Sequence, residues 1–154
     1  MREREMTGHV KRWVEGGGWR TIQEKAQGAA VFEYKTEVAG KAIGFSRIEK
    51  HQINALHSAT EWGIGDGLSG GVYFKISDLS LGAKPFDAVY LGGVKAYVVF
   101  GWFHKGKGYH CVCVDIRRLE GVMKVKRSKD TLEVGRGSIN EDKAVELGDW
   151  AFWC

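Results

Sequence analysis

Proline occurs once in 154 residues, and the three cysteines, Cys111, Cys113 and Cys154, form no Cys-x-x-Cys pair. Without that spacing there is no thiolate frame for a metal, and no zinc site is expected; Cys111 and Cys113, two apart, would share one face of a strand as small buried hydrophobes. The chain also lacks a Walker loop, a Gly-x-Gly-x-x-Gly opening a helix, a His-Glu-x-x-His and any internal repeat, so no nucleotide cofactor is implied. No apolar run approaches the length of a membrane span. The amino terminus, MREREMTGHVKRW, is charged from its second residue and has no apolar signal core. An intracellular, cytoplasmic protein with no membrane partner is therefore expected. One further absence matters below: no aspartate precedes Asp66.

What is present reads as one domain over residues 1–154. Apolar residues make up 44% and charged residues 27%, ordinary for a globular chain, while six tryptophans and twenty-two glycines suggest sheet joined by tight turns. The formal charge of +4 agrees with a polyanionic partner without requiring one.

Residues 30–36, AVFEYKT, have the β-branched and aromatic content of a strand, and alternation puts Val31, Glu33 and Lys35 on one face. A carboxylate beside an ammonium suits metal-assisted chemistry; a surface ion pair would use the same residues. The next segment, FSRIEKHQINALHSA, reads as a helix capped by Ser46 with Glu49 three residues later. Ile48, Ala55, Leu56 and Ala59 form its apolar stripe, and His51 and Gln52 fall on that stripe. Inward polar residues need partners, in a hydrogen-bonded core or in an active site. Residues 2–15 have the spacing of an amphipathic helix burying Met6, Val10, Trp13 and Val14, with Glu3 on the same side. Residues 16–18, all glycine, end it, and residues 19–24 would make a short strand before a Gln27-Gly28 turn.

Strand-borne Glu-x-Lys followed by Phe-x-Arg-Ile-x-x-His-Gln resembles the PD-(D/E)xK nuclease superfamily, in particular the archaeal-type and RecU-type Holliday-junction resolvases. Arg2-Glu3-Arg4-Glu5 is similar to the first helix of the archaeal-type enzymes. The resemblance spans roughly residues 2–114 and rests on short motifs. It departs from the family pattern in having no metal-binding aspartate upstream of the Glu-x-Lys strand. Either Glu24 supplies that ligand, or the aspartate hairpin lies elsewhere in the chain.

The second option has a place in the sequence. Residues 72–77 read as a strand, and Gly92-Gly93 lies between two alternating apolar runs, 86–91 and 94–100, as in a two-residue hairpin. Lys84-Pro85-Phe86-Asp87 resembles the family's aspartate segment, so Asp87 would complete the site opened by Glu33. Asp87 would otherwise cap a turn. Asp78 is the reserve. Residues 109–116 read as a further strand, preceded by a Lys-Gly-Lys-Gly loop suited to a phosphate. Beyond Leu119 the resemblance ends, leaving residues 120–154 as a C-terminal extension. In it the basic run from Lys124 to Lys129 is a solvated edge or a nucleic-acid patch. Ser138 would cap a short helix, and Trp150, Phe152 and Trp153 would pack on the core or on a second subunit.

The resemblance implies a restriction-endonuclease-like α/β domain, a central mixed sheet flanked by helices, that resolves four-way DNA junctions. Glu33 and Asp87, with Glu3, would bind Mg²⁺, with Mn²⁺ as a substitute. Lys35 would activate or orient the attacking water, and Gln52 would hold a water or a phosphate. A two-fold junction cut twice implies a homodimer. Two rival readings use the same residues: a homing or restriction nuclease acting on duplex DNA, and a DNA-binding module without catalysis.

Overall fold

The computed structural model describes residues 3–61, 71–75, 87–129 and 131–154. Its centre is a four-stranded mixed sheet in the order β1 (Ala30–Val38), β5 (Lys95–His104), β6 (Gly108–Asp115), β10 (Trp150–Trp153). β1 runs parallel to β5, while β5 with β6 and β6 with β10 are antiparallel. A parallel neighbour needs a long crossover, and residues 39–94, between β1 and β5, supply it. The crossover holds α3 (Lys50–Thr60), and the two-stranded ribbon of β3 (Val72–Lys75) and β4 (Ala88–Leu91).

Both faces of the sheet are covered, which is why β5 reads as a continuous apolar run. On one face Ala96, Val98, Phe100 and Trp102 meet Ile53, Leu56 and Ala59 of α3 and Leu119 and Met123 of α4 (Ile116–Met123). The other face carries Tyr97, Val99, Cys111 and Cys113 against Met6 and Val10 of α1 (Glu3–Trp13) and Ala26 of α2 (Trp19–Ala26). An α/β domain with a mixed sheet between helices is therefore the observed architecture. Among the described residues no helix is long and apolar enough to cross a membrane.

Several local expectations change. α1 gives way to a widened turn over Val14–Gly18, broken at Gly17, whose φ of 121° side chains rarely adopt. The segment read as a strand at 19–24 is α2: Ile22 and Ala26, four apart, face the core, a helical spacing that the Thr-Ile pair obscured. Ser46 does not cap the helix. A single 3₁₀ turn spans Phe45–Arg47 and Ile48 is extended, so α3 begins at Lys50 with Glu49 as its cap. Likewise Asn140, not Ser138, caps α5 (Glu141–Leu147); Ser138 pairs in the two-residue ladder of β9 (Ser138–Ile139) with β2 (Ile43–Gly44).

Gly92-Gly93 joins β4 to β5 without folding them on each other. β4 pairs with β3, and β5 swings into the main sheet between β1 and β6. Only Gly93 has a positive φ, so the two-residue hairpin turn expected there does not form. Of the strand read at 72–77, β3 covers Val72–Lys75; positions 76 and 77, with Asp78 and residues 84–86, lie outside the described residues.

The tail is part of the core. β10 completes the sheet beside β6, with Trp150 and Phe152 turned inward and Trp13 stacked on Phe152 at 3.8 Å between ring centres. Residues 120–154 thus supply an edge strand and a helix to the same domain.

Candidate active site

β1 alternates cleanly. Phe32 and Tyr34 face the α1 side, and Val31 packs on the α3 side, the face that Glu33, Lys35 and Glu37 share with it by two-residue periodicity. Among the described strands β1 is an edge, so one flank of this row is not covered by another strand.

Lys35 is 8% exposed and its Nζ lies 3.5 Å from Oε1 of Glu33. The same oxygen accepts a 2.8 Å hydrogen bond from Nε2 of Gln52. Gln52 is the third residue of α3, and its Oε1 accepts from the backbone N–H of Glu49 at 3.0 Å, closing a capping box. The box fixes the amide: with its oxygen turned to the helix end, its NH₂ is aimed at Glu33. Three predicted residues, Glu33, Lys35 and Gln52, therefore meet. Glu33 and Gln52 border a cleft of about 290 Å³ between β1 and α3, whose wall includes Val31, His51 and Leu56, with the Lys35 ammonium reaching it through its contact to Glu33. A larger cleft, about 720 Å³, also includes His51 and opens between Phe45, Lys50 and Glu133.

His51 does not point inward. Because α3 starts at Lys50, the buried stripe is Ile53, Leu56 and Ala59, and the His51 side chain is 75% exposed beside Glu49. Glu3 is near the row but engaged elsewhere: Oε1 accepts from Nη2 of Arg47 at 2.8 Å. Arg47 also donates to the Thr36 carbonyl at 2.8 Å and lies 3.8 Å from Glu37. It ties the start of α1 to the edge of β1. Asp87 is exposed at the start of β4, in a ribbon that is not hydrogen-bonded to β1; the strand expected to bring it beside Glu33 pairs with β3 instead. Glu24 is exposed on α2.

Sequence reasoning missed a second cluster. His104 ends β5, His110 lies in β6 and Glu141 opens α5. Nε2 of His104 donates to the Glu141 carboxylate at 2.8 Å and Nδ1 of His110 donates at 2.7 Å. Burial opposes ionisation of Glu141, but the bonds from His110 and His104 outweigh it and hold the carboxyl below its usual range. The ring of Trp153 stacks on His110, 4.7 Å between centres and 16° from parallel. A signal was available. His104 and His110 flank a three-residue turn, and in the β5–β6 ladder Trp102 faces His110 and His104 faces Gly108, so the two histidines are diagonal neighbours.

The chain matches no protein-family model, no curated protein and no solved structure.

Proposed function

We propose that the chain is a metal-dependent endonuclease selective for branched DNA, with Glu33, Lys35 and Gln52 at its centre. The observation that carries this reading is the Lys35 ammonium, almost wholly buried, held against a carboxylate whose orientation a second element fixes. Burying an ion pair costs more in lost hydration than it returns in stability, so an apolar pair would serve the fold at least as well. A carboxylate at the edge of a cleft with an ammonium preformed beside it would serve phosphodiester hydrolysis, where negative charge grows on the phosphate.

Glu33 fits Mg²⁺, a hard ion that takes one or two protein carboxylates and keeps water and phosphate oxygens for the rest. Among the described residues both contacts to its carboxylate fall on Oε1, which leaves Oε2 to face a cation. When bound, the ion would supply charge neutralisation at the scissile phosphate. Mn²⁺ would substitute. Lys35 would steady the charge that develops on the phosphate and orient the attacking water. Gln52 keeps the Glu33 carboxylate in place. Asp87 is the second carboxylate of this reading, with Glu3 adjoining through Arg47. A homodimer would set two such sites on a two-fold junction. An intracellular setting follows from the substrate.

The exposed position of Asp87 favours one rival, a binding module in which catalysis is lost. A single assay separates the readings: a labelled four-way junction with and without Mg²⁺, in the presence of unlabelled linear duplex. Paired cuts only with Mg²⁺, resistant to the duplex, support junction resolution. Equal cutting of the duplex points to a duplex nuclease, and binding without cutting points to the inactive module.

A further inference from the structure

About 20 Å along the sheet from Glu33, the same face carries chemistry of another kind. Glu33 is level with Val98 of β5, and His104 stands six residues further on. One ligand atom each from His104, His110 and Glu141 lies within 4.8 Å of the other two. We propose that these three side chains form a binding site for a divalent first-row transition ion of the Zn²⁺ class.

Two imidazoles and one carboxylate are the donor set such ions take, at about 2.0–2.1 Å from each ligand, with the fourth tetrahedral position left to water. The carboxylate accepts from both rings, at 2.7 and 2.8 Å. An ion entering between them would have to part carboxylate from imidazoles by roughly half an ångström, within reach of the Glu141 side-chain torsions. Each ring would shift its proton to its other nitrogen. Nothing larger has to move, because the three backbones are already set by different elements: two strands of one ladder and a helix start fixed by Asn140.

The surroundings suit the role. The three side chains are 17–29% exposed, enough for an ion to enter and little enough to exclude most of the competing water. Trp153 lies flat on His110 and within 5.1 Å of His104, which restricts both rings to few rotamers before any ion arrives. Preorganised imidazoles lose little entropy on binding. A hard ion such as Mg²⁺ would gain little from two imidazoles, so the two clusters on this face differ in the ions they select. By linking α5 to the β5–β6 hairpin, the ion would stabilise the folded chain in proportion to its free concentration.

The test uses the full chain, stripped with chelator and titrated with Zn²⁺ by calorimetry, with thermal unfolding as a second readout. One equivalent per chain and a raised unfolding midpoint are expected. Glu141→Gln keeps the size and hydrogen bonding of the side chain yet should weaken Zn²⁺ by about 100-fold or more, as should His110→Ala. Cys154→Ser should bind as the parent does. Cobalt(II) in the unsubstituted chain gives a reading that needs no variant: visible d–d bands without a thiolate charge-transfer band. The proposal fails if the chain takes up no Zn²⁺, if binding survives Glu141→Gln and His110→Ala unchanged, if Cys154→Ser abolishes it, or if cobalt shows thiolate ligation. None of these readouts depends on DNA cleavage.

Discussion

The two polar clusters on the α3 side of the sheet are assembled in opposite ways. Glu33 and Lys35 come from one strand two residues apart, and the third member, Gln52, is nineteen residues from Glu33. His104, His110 and Glu141 come from three elements, and the last is thirty-seven residues from the first. Strand periodicity alone brings the first pair together; the second needs a hairpin, a diagonal and a helix start. Their donors differ as well. A carboxylate with an ammonium suits phosphate and a hard cation, whereas two imidazoles with a carboxylate suit a borderline one. On the two proposals one sheet face would hold two separable chemistries, with about six residues of strand, filled by Val98, Phe100 and Trp102, between them.

Removing Lys35 should break the comparison most sharply. Lys35→Ala is expected to lower cleavage by about 10²–10³-fold or more, the scale of losing one preorganised charge stabiliser, while junction binding stays within a few-fold. Zn²⁺ uptake should not change. Single-turnover cleavage beside a binding titration makes the check, and near-normal cleavage would take Glu33-x-Lys35 out of the active site. Asp87→Asn extends the test to the second carboxylate: a loss matching that of Glu33→Gln would make both part of one unit, and normal cleavage would remove Asp87 from it.

Adjacent residues of β10 offer the next largest effect. Phe152 is buried against Trp13 on the α1 side, and Trp153 faces the other way, over His110. Phe152→Ala should cost about 3–5 kcal/mol of stability, the range for emptying a buried aromatic site. Trp153, 46% exposed, should cost much less on truncation, and yet Trp153→Ala alone should weaken Zn²⁺ binding, because it frees the His110 ring. Denaturant unfolding and metal titration on the two variants read this out. Equal effects of both substitutions on the metal would mean that the ring contact does not act on the site.

Why one cluster was legible and the other was not follows from range. β1 shows itself through alternation, and Glu-x-Lys lies wholly within it. Gln52 was picked out for the wrong helix start, Ser46, but the residue three past the true cap, Glu49, is that same glutamine. Misreadings arose where a local signal met a distant partner. Gly92-Gly93 is a sound hairpin signal, overridden because β4 finds β3 and β5 finds β1 and β6. Trp19 to Glu24 is too short for period alone to separate strand from helix, and Ala26, two residues beyond it, carries the helical spacing. His104 and His110 were readable as a pair across their turn; Glu141 was not, since nothing local says that α5 packs back on that hairpin.

Gln52 joins stability to the site. Gln52→Ala removes the donor to Glu33 and the acceptor for the Glu49 N–H together. Losing the cap should cost about 1 kcal/mol, and cleavage should fall by less than in Lys35→Ala, since the carboxylate remains but turns more freely. Gln52→Glu separates the two parts: it keeps an acceptor for the cap but sets a second carboxylate against Glu33. A variant that restores stability without restoring cleavage would confirm that the amide NH₂, and not the helix end, matters to the site.

The smallest effect is expected at Glu3, and it decides what the edge of β1 contributes. The resemblance makes Glu3 a metal ligand, whereas its carboxylate is held by Arg47 at 2.8 Å, and Arg47 is also bound to the Thr36 carbonyl. The ion pair is more than a third exposed on both sides, so water and salt screen it and its share of stability should be below about 1 kcal/mol. Glu3→Gln keeps an acceptor for Arg47, which also has the backbone of β1 and Glu37 to hold it in place. Thermal unfolding should therefore move little, and the Mg²⁺ concentration for half-maximal cleavage should rise no more than a few-fold. A large rise in that concentration, with unfolding unchanged, would show that Glu3 leaves Arg47 for the cation when DNA and Mg²⁺ are present. The site would then have two carboxylates from separate elements, as the family resemblance requires, and the Arg47 clamp would be its resting state.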